Sequence, residues 1–223
     1  MDQTSQLESR LGYEFRNRAL IGESLTHRSA GSLHNERLEF LGDAVLGLIV
    51  ASELFHRCPA SSEGDLSRLR ASLVQGGTLA SVAREIQLGD ALALGPGEMK
   101  SGGHRRDSIL ADAFEAVLGA IYLDSDLDTC RRVVLSCLGS RLETLPDPGS
   151  LKDPKTRLQE WLQARGMSLP EYRVLDEHGD PHNRIFRVEC RVPELSIEAD
   201  AEAGSRRKAQ QAAASRILDQ IDT

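Results

Sequence analysis

Several absences narrow the reading before any motif is considered. The chain has no excess of basic residues: 27 Lys and Arg stand against 34 Asp and Glu, a formal net charge of −7. By segment, residues 1–150 hold 15 basic against 21 acidic side chains, and residues 151–223 hold 12 against 13. Bulk charge therefore gives no warrant for nucleic-acid binding, and any such function must rest on local clusters of cations. Cysteine is sparse. Cys58, Cys130, Cys137 and Cys190 form no C-x-x-C pair, which fits reduced packing residues better than a disulfide framework or a zinc site. No apolar run approaches the roughly 20 residues that span a bilayer. Met1-Asp2-Gln3-Thr4-Ser5 has neither the basic start nor the following apolar core of a signal peptide. The expectation is a cytoplasmic chain with no membrane partner. With 223 residues, 40% hydrophobic and 27% charged, it suits one large domain or two small ones.

What is present centres on Asn35-Glu36-Arg37-Leu38-Glu39-Phe40-Leu41-Gly42-Asp43-Ala44-Val45-Leu46. At about 100° per residue, Glu36, Glu39 and Asp43 fall within roughly 60° of one another, with Leu38, Leu41, Val45, Leu48 and Ile49 opposite. Leu46, Val50 and Phe40 flank the acidic line. The helix, expected from an N-cap at Asn35 to about His56, is thus apolar almost all round and predicted to be central to its domain. A second helix, about Asp107 to Leu123, carries Asp112 and Glu115 on one side and Leu110, Phe114, Val117, Leu118 and Ile121 on the other. Ala116 and Gly119 beside the second pair, and Gly47 beside Asp43, are small enough to let the acidic faces approach.

If those helices pack, Glu39, Asp43, Asp112 and Glu115 converge, and like charges at short range raise one another's pKa or force the helices apart. A divalent cation removes the conflict. An oxygen-only donor set suits Mg²⁺, with Mn²⁺ as a substitute, better than zinc. The plainer alternative is solvated acidic faces on surface helices, which the apolar surroundings of the first helix argue against. A di-iron bundle needs Glu-x-x-His, and the residues three after Glu36, Glu39 and Glu115 are Glu39, Gly42 and Leu118.

Around these helices the pattern gives two short helices within residues 6–28, broken near Leu11–Phe15, and the polar loop Thr26-His27-Arg28-Ser29. A helix opened by Ser62-Glu63-Gly64-Asp65 follows, then one at Thr78–Ile86, a glycine-rich loop from Leu94 to Arg106, and a last helix at Leu127–Leu145. His27 reads by default as a buried, hydrogen-bonded histidine and Lys100 as a solvated loop lysine. Pro146-Asp147-Pro148-Gly149-Ser150 breaks any regular element. The predicted organisation is an all-α domain over 1–146, a linker over 147–152 and a second domain over 153–223.

Beyond the break the period changes. Asp153-Pro154 is an N-cap and N1 pair for a helix through Leu158, Trp161 and Leu162. Strands follow at Glu171–Leu175, Arg184–Val192 and Leu195–Ala199, then a helix from Ser205 to Ile221, giving the order α-β-β-β-α. Ser205-Arg206-Arg207-Lys208 puts three cations in a first helical turn, where they oppose the macrodipole. A phosphate bound there would account for them; a solvated basic turn is the alternative. Thr156, Gln159, Glu160 and Gln163 share one helix face, a strip able to read ribose hydroxyls in a minor groove or simply ordinary surface. His182, in the turn Gly179-Asp180-Pro181-His182, either reaches a groove or caps the turn.

The stretch Asn35–Asp43 closely resembles the signature of bacterial ribonuclease III. The likeness continues through Glu63-Gly64-Asp65-Leu66-Ser67, Gly95-Pro96-Gly97-Glu98, Lys100-Ser101-Gly102-Gly103 and Ser108–Ala116, while residues 153–221 look like a double-stranded-RNA-binding domain. The resemblance implies a multi-domain protein, an all-α nuclease domain followed by an α-β-β-β-α RNA-binding domain. It implies a homodimer that cuts double-stranded RNA with Mg²⁺, leaves 5′-phosphate and 3′-hydroxyl ends with short 3′ overhangs, and serves RNA processing such as ribosomal precursor maturation. By position Glu39, Asp43, Asp112 and Glu115 match the metal ligands, Asp43 and Glu115 among them as catalytic residues, and Glu36 and Glu63 match accessory acids at the cleavage centre. Thr156, Gln159, Glu160, Gln163, His182, Arg206, Arg207 and Lys208 match RNA-touching positions. The family usually has glycines in the turn before Ser205, where this chain has Ala201 and Ala203. That departure motivates the rival reading of a non-catalytic RNA-binding relative, although all four metal acids are present.

Overall fold

A computed structural model describes residues 2–180 and 182–221. It divides into two compact units, Met1–Pro148 and Gly149–Thr223.

The first unit is helical. Helix α1 (Gln3–Leu11) starts on Asp2, whose carboxylate accepts from Ser5 N, and ends on Gly12 at φ 66°. Helix α2 (Arg18–Ser24) precedes the long α3 (Glu36–Arg57); α4 (Glu63–Val74) opens on a capping box between Ser62 and Asp65, and α5 (Gly76–Glu85) follows. The predicted glycine-rich loop contains structure of its own. Pro96, with φ preset for a helix start, begins the short α6 (Pro96–Lys100), and a 3₁₀ turn runs over Gly103–Arg105. Helices α7 (Asp107–Asp124) and α8 (Leu127–Glu143) complete the unit.

The helix enclosed on all sides is α7, where an unbroken run from Ala116 to Ile121 is buried along with Ile109, Leu110, Ala113 and Phe114. The sequence reading gave that place to α3. Helix α3, packed chiefly on α7, buries Leu38, Val45, Leu46, Ile49, Val50 and Leu54, yet leaves Phe40 81%, Leu48 56% and Phe55 67% exposed. Asn35 stands at its N-cap but makes no side-chain capping bond. The α3–α7 crossing is a backbone contact. A Cβ on Gly42 would lie well under 3.0 Å from the carbonyl oxygen of Glu115, and one on Gly119 would meet the carbonyl oxygen of Leu38 in the same way. Gly42, rather than Gly47, is the glycine that permits the approach: around Gly47 nothing lies within 4 Å of a built Cβ.

The second unit packs two helices on one face of an antiparallel sheet of order β1-β2-β3. Helix α9 (Pro154–Gln163) is capped by Asp153, which accepts from Lys155 N, and α10 (Arg206–Ile221) closes the chain. Strands β1 (Glu171–His178), β2 (Ile185–Val192) and β3 (Ile197–Ala203) pair with a bulge between Val174 and Asp176. Leu158, Leu162, Cys190, Val192, Ala201, Ala213, Ala214, Ile217 and Leu218 form the core.

Strand β3 corrects one reading. Ala201 and Ala203 are not in a turn: they pair with Val188 and Phe186, and Ala201 is buried. Alternation places Ile197, Ala199, Ala201 and Ala203 toward the helices, where small side chains suit the packing of α10. The rival non-catalytic reading loses its motive, because the backbone just before Ser205 keeps its glycine, Gly204. The four cysteines are free, Cys130 and Cys190 buried. Among the described residues no helix is long and apolar enough to cross a membrane.

Candidate functional site

The glycine crossing sets the site. Glu39 stands one turn before Gly42 on α3, and Glu115 one turn before Gly119 on α7, so the contact that brings the two backbones together also draws these side chains to one place. Glu39, Asp112 and Glu115 each place a carboxylate oxygen so that all lie within 4.8 Å of one another, and all three residues are half-buried. Among the described residues no Lys, Arg or His forms an ion pair with them.

Their protonation reflects this crowding. Burial, followed by the charges of Asp43, Glu39 and Asp112, pushes Glu115 up to about 8. Glu39 is raised by burial and then by Asp112, Glu36 and Asp43. Burial also raises Asp112, with His27 and Arg28 pulling the other way. Three partly desolvated oxygen donors with no cationic partner form a mutually repelling set that a hard divalent ion satisfies.

Asp43 lies outside the trio. Exposed on α3 one turn beyond Glu39, it acts on Glu39 and Glu115 through its charge. Glu36 borders the trio, 3.4 Å from Arg28 and 3.8 Å from His34. The structure does not bring Glu63 to these acids: it opens α4, accepts from Ser67 Oγ at 2.8 Å, and lines a separate hollow of about 290 Å³ with Phe55 and Arg70. Glu39, Asp112 and Glu36 line a cavity of about 600 Å³ whose walls also include His27, Arg28 and Arg106. The sequence reading took His27 as a buried, hydrogen-bonded histidine and gave Arg28 and Arg106 no role. Thr26–Ser29 could have been singled out only by knowing that it folds against the acidic helices.

In the second unit Thr156, Gln159, Glu160 and Gln163 are all exposed along α9, with Glu160 bound to Lys152 at 2.6 Å. Ser205 Oγ accepts from Lys208 N at 3.2 Å, capping α10. Two hydrogen bonds join the start of α9 to α10: Lys155 Nζ donates to Gln210 Oε1 at 2.7 Å, and Gln211 Nε2 donates to Asp153 at 2.6 Å. The three cations differ. Arg206 is held by Glu177 at 2.9 Å and lies over the Phe186 ring at 5.3 Å, Arg207 is exposed with Asp153 no nearer than 4.0 Å, and Lys208 is exposed. His182 is exposed in the β1–β2 connection, and Pro181 falls outside the described residues. The sheet face away from the helices carries Arg173, Arg187 and Arg191 among Glu171, Asp176, Glu189, Glu198, Asp200 and Glu202. That face carries an acidic excess, whereas the exposed cations Arg207 and Lys208 stand at the start of α10.

Comparison with known proteins agrees in both units. A family model described as Ribonuclease-III-like matches residues 17–142, and one described as double-stranded RNA binding motif matches residues 154–221. Ribonuclease 3 of Xylella fastidiosa is 57% identical over 219 residues, 98% of this chain and 96% of that protein. Ribonuclease 3 of Vibrio parahaemolyticus is 56% identical over 216 residues, 97% and 96% of the respective lengths. A solved nuclease domain of ribonuclease III from Campylobacter jejuni, described as flexible in a region involved in dimer formation, superposes with a TM-score of 0.62 at 41% identity, covering 64% of this chain and all of that one.

Proposed function

This chain belongs to the ribonuclease III family and is an endoribonuclease acting on double-stranded RNA, and we propose that it does so as a Mg²⁺-dependent homodimer whose acids Glu39, Asp43, Asp112 and Glu115 hold the metal. The observation that carries the metal reading is the oxygen-only trio within 4.8 Å, drawn from two helices and, among the described residues, ion-paired to no basic side chain. A bound Mg²⁺ would supply the Lewis acidity that makes water nucleophilic and the counter-charge for a departing 3′ oxygen. Glu39, Asp112 and Glu115 would hold the ion, with Asp43 completing the set from its exposed edge and Glu36 as an accessory acid beside them; Glu63, which lies apart from the trio within one chain, would join the cleavage centre only through the dimer. Mn²⁺ fits the same donors.

The products are 5′-phosphate and 3′-hydroxyl ends with short 3′ overhangs, and the cellular role is processing of RNA such as ribosomal precursors, in the cytoplasm. Dimerisation is supported by the exposed apolar stripe of Phe40, Leu48 and Phe55 on α3, a face expensive to leave in water. It supplies two acidic centres, one for each strand. The second domain, 153–223, grips the duplex through Thr156, Gln159, Glu160, Gln163, His182, Arg206, Arg207 and Lys208, reading A-form shape and 2′-hydroxyls over about 16 bp.

The test is cleavage of a plain RNA duplex with Mg²⁺ or with chelator, by the wild type and by Glu115→Gln. Expected are Mg²⁺-dependent cutting by the wild type and, in the variant, at least a ~10³-fold lower rate with duplex binding retained. Undiminished cutting by Glu115→Gln refutes the ligand assignment.

A further inference from the structure

The cavity beside the acid trio holds hydrogen-bond donors as well as acids, and the fold fixes one of them with care. Arg106 is tied down, to Glu98 at 2.6 Å and to Ser101 at 3.2 Å. Arg28 is not: its side chain is 71% exposed and its contact to Glu36 is a long 3.4 Å, which leaves most of its guanidinium N–H groups free.

His27 is oriented through a chain of bonds. Its backbone N–H donates to the Ala93 carbonyl at 3.0 Å, next to the Thr26–Ala93 bridge, so the 26–29 loop is stapled to the 93–95 segment. Gly95 N–H donates to Ser29 Oγ at 2.9 Å, so the Ser29 hydroxyl is free to donate its own proton to Nδ1 of His27, 2.8 Å away. Ser29 N–H points to the same Nδ1 at 3.2 Å. A ring nitrogen that accepts from both carries no hydrogen, and the imidazole therefore bears its N–H on Nε2. Gly95 is needed for this arrangement, since a Cβ there would lie under 3.0 Å from the Ser29 carbonyl oxygen. No hydrogen bond joins His27 or Arg28 to Glu39 or Asp112, although all four line one cavity of about 600 Å³.

Two donors of this kind, an imidazole N–H and a planar guanidinium, match a phosphate oxygen. We propose that His27, through Nε2–H, and Arg28 grip a non-bridging phosphate oxygen of the substrate strand beside the acid trio, and that Ser29 and Gly95 serve to hold the imidazole in the donating tautomer. The inference rests on the nuclease reading, because it needs a phosphodiester in the cavity. On it, His27 touches substrate and supplies orientation that the acids alone do not.

The test is single-turnover cleavage of a defined RNA duplex in Mg²⁺ by the full chain and by His27→Ala and His27→Gln, with melting temperature and Mg²⁺ binding measured on each. The Gln amide can offer an N–H close to where Nε2 stands. His27→Ala is expected to slow cleavage about 10- to 100-fold with melting temperature and Mg²⁺ binding near wild type, and His27→Gln to recover most of the loss. Sulfur in place of the gripped oxygen should slow the wild type and add little to the slowing already present in His27→Ala. Wild-type rates in His27→Ala overturn this inference alone. Gln as slow as Ala, with both variants melting lower or binding Mg²⁺ more weakly, marks a purely structural role and also overturns it. A wild type that cannot cut in Mg²⁺ overturns the nuclease reading and this inference with it.

Discussion

Glu115 takes up the proton that the acidic cluster shares, and this ties stability to pH in a definite sense. Its ordinary value is 4.5 and burial with its acidic neighbours takes it to about 8 in the folded chain. Between those values the folded protein holds a proton that the unfolded chain has released, so the contribution of Glu115 to metal-free stability is full below pH 4.5 and is lost as pH rises toward 8. Glu39 and Asp112 shift in the same direction. In chelator, the wild type should melt roughly 5 °C lower at pH 8 than at pH 5.5, and Glu115→Gln should show a clearly smaller difference. Mg²⁺ must displace that proton, so its affinity should climb with pH up to about 8. Calorimetry in buffers of different ionisation heat should then find about one proton released per ion near neutral pH. A pH-independent affinity with no proton release would contradict the burial of Glu115 among like charges.

At the scale of elements, two glycines in similar helical settings should respond with opposite sign. Gly42→Ala puts a methyl onto the Glu115 carbonyl, a backbone atom that cannot swing aside, so α3 and α7 must separate and the trio with them. The expected cost is about 3 kcal/mol or more in denaturant unfolding, accompanied by loss of Mg²⁺ binding. Gly139→Ala in α8, where nothing lies within 4 Å of the new methyl, should instead stabilise by about 0.5–1 kcal/mol. The sequence made the two acidic helices legible, because Glu39, Asp43, Asp112 and Glu115 interrupt apolar stripes at helical spacing. It could not tell Gly42 from Gly47, since which glycine touches a neighbouring backbone depends on the crossing. It also could not tell an apolar face covered by the chain's own core from one left bare, and for that reason Phe40 and Leu48 went unremarked as surface. Strand β3 was read short because its inward residues are alanines, whose alternation with Glu198, Asp200 and Glu202 carries little hydrophobic contrast. His27 was read as a buried, hydrogen-bonded residue; the bonds to Ser29 are there, but the ring is only half-buried, because it stands in the wall of the acid-lined cavity, a place that required the stapling of two loops distant in sequence.

For the molecule as a whole, the proposed function makes activity on duplexes depend on two surfaces that sequence charge alone does not reveal. One is the bare stripe on α3. Phe40→Asp with Leu48→Asp should leave each chain folded yet shift sedimentation from dimer to monomer and depress duplex cutting; a double variant that still sediments as a dimer would show that another face mediates assembly. The other surface is the basic side of the second unit, which has to act against a chain carrying a net charge of −7. Its three cations should not count equally. Arg207 and Lys208 face solvent without a close partner, and each phosphate they neutralise releases counterions, so removing either should weaken duplex binding and flatten the salt slope by about 0.7–0.9. Arg206 is already partnered by Glu177, itself shared with Arg184 at 2.8 Å, so Arg206→Ala should change the slope less and act instead by loosening the start of α10 over Phe186. Fluorescence titration of a labelled duplex across salt concentrations, with single alanine variants at the three positions, measures the order directly. A slope change at Arg206 as large as at Arg207 would mean that RNA displaces Glu177 from its ion pair, and that the tether seen in the free protein opens on binding.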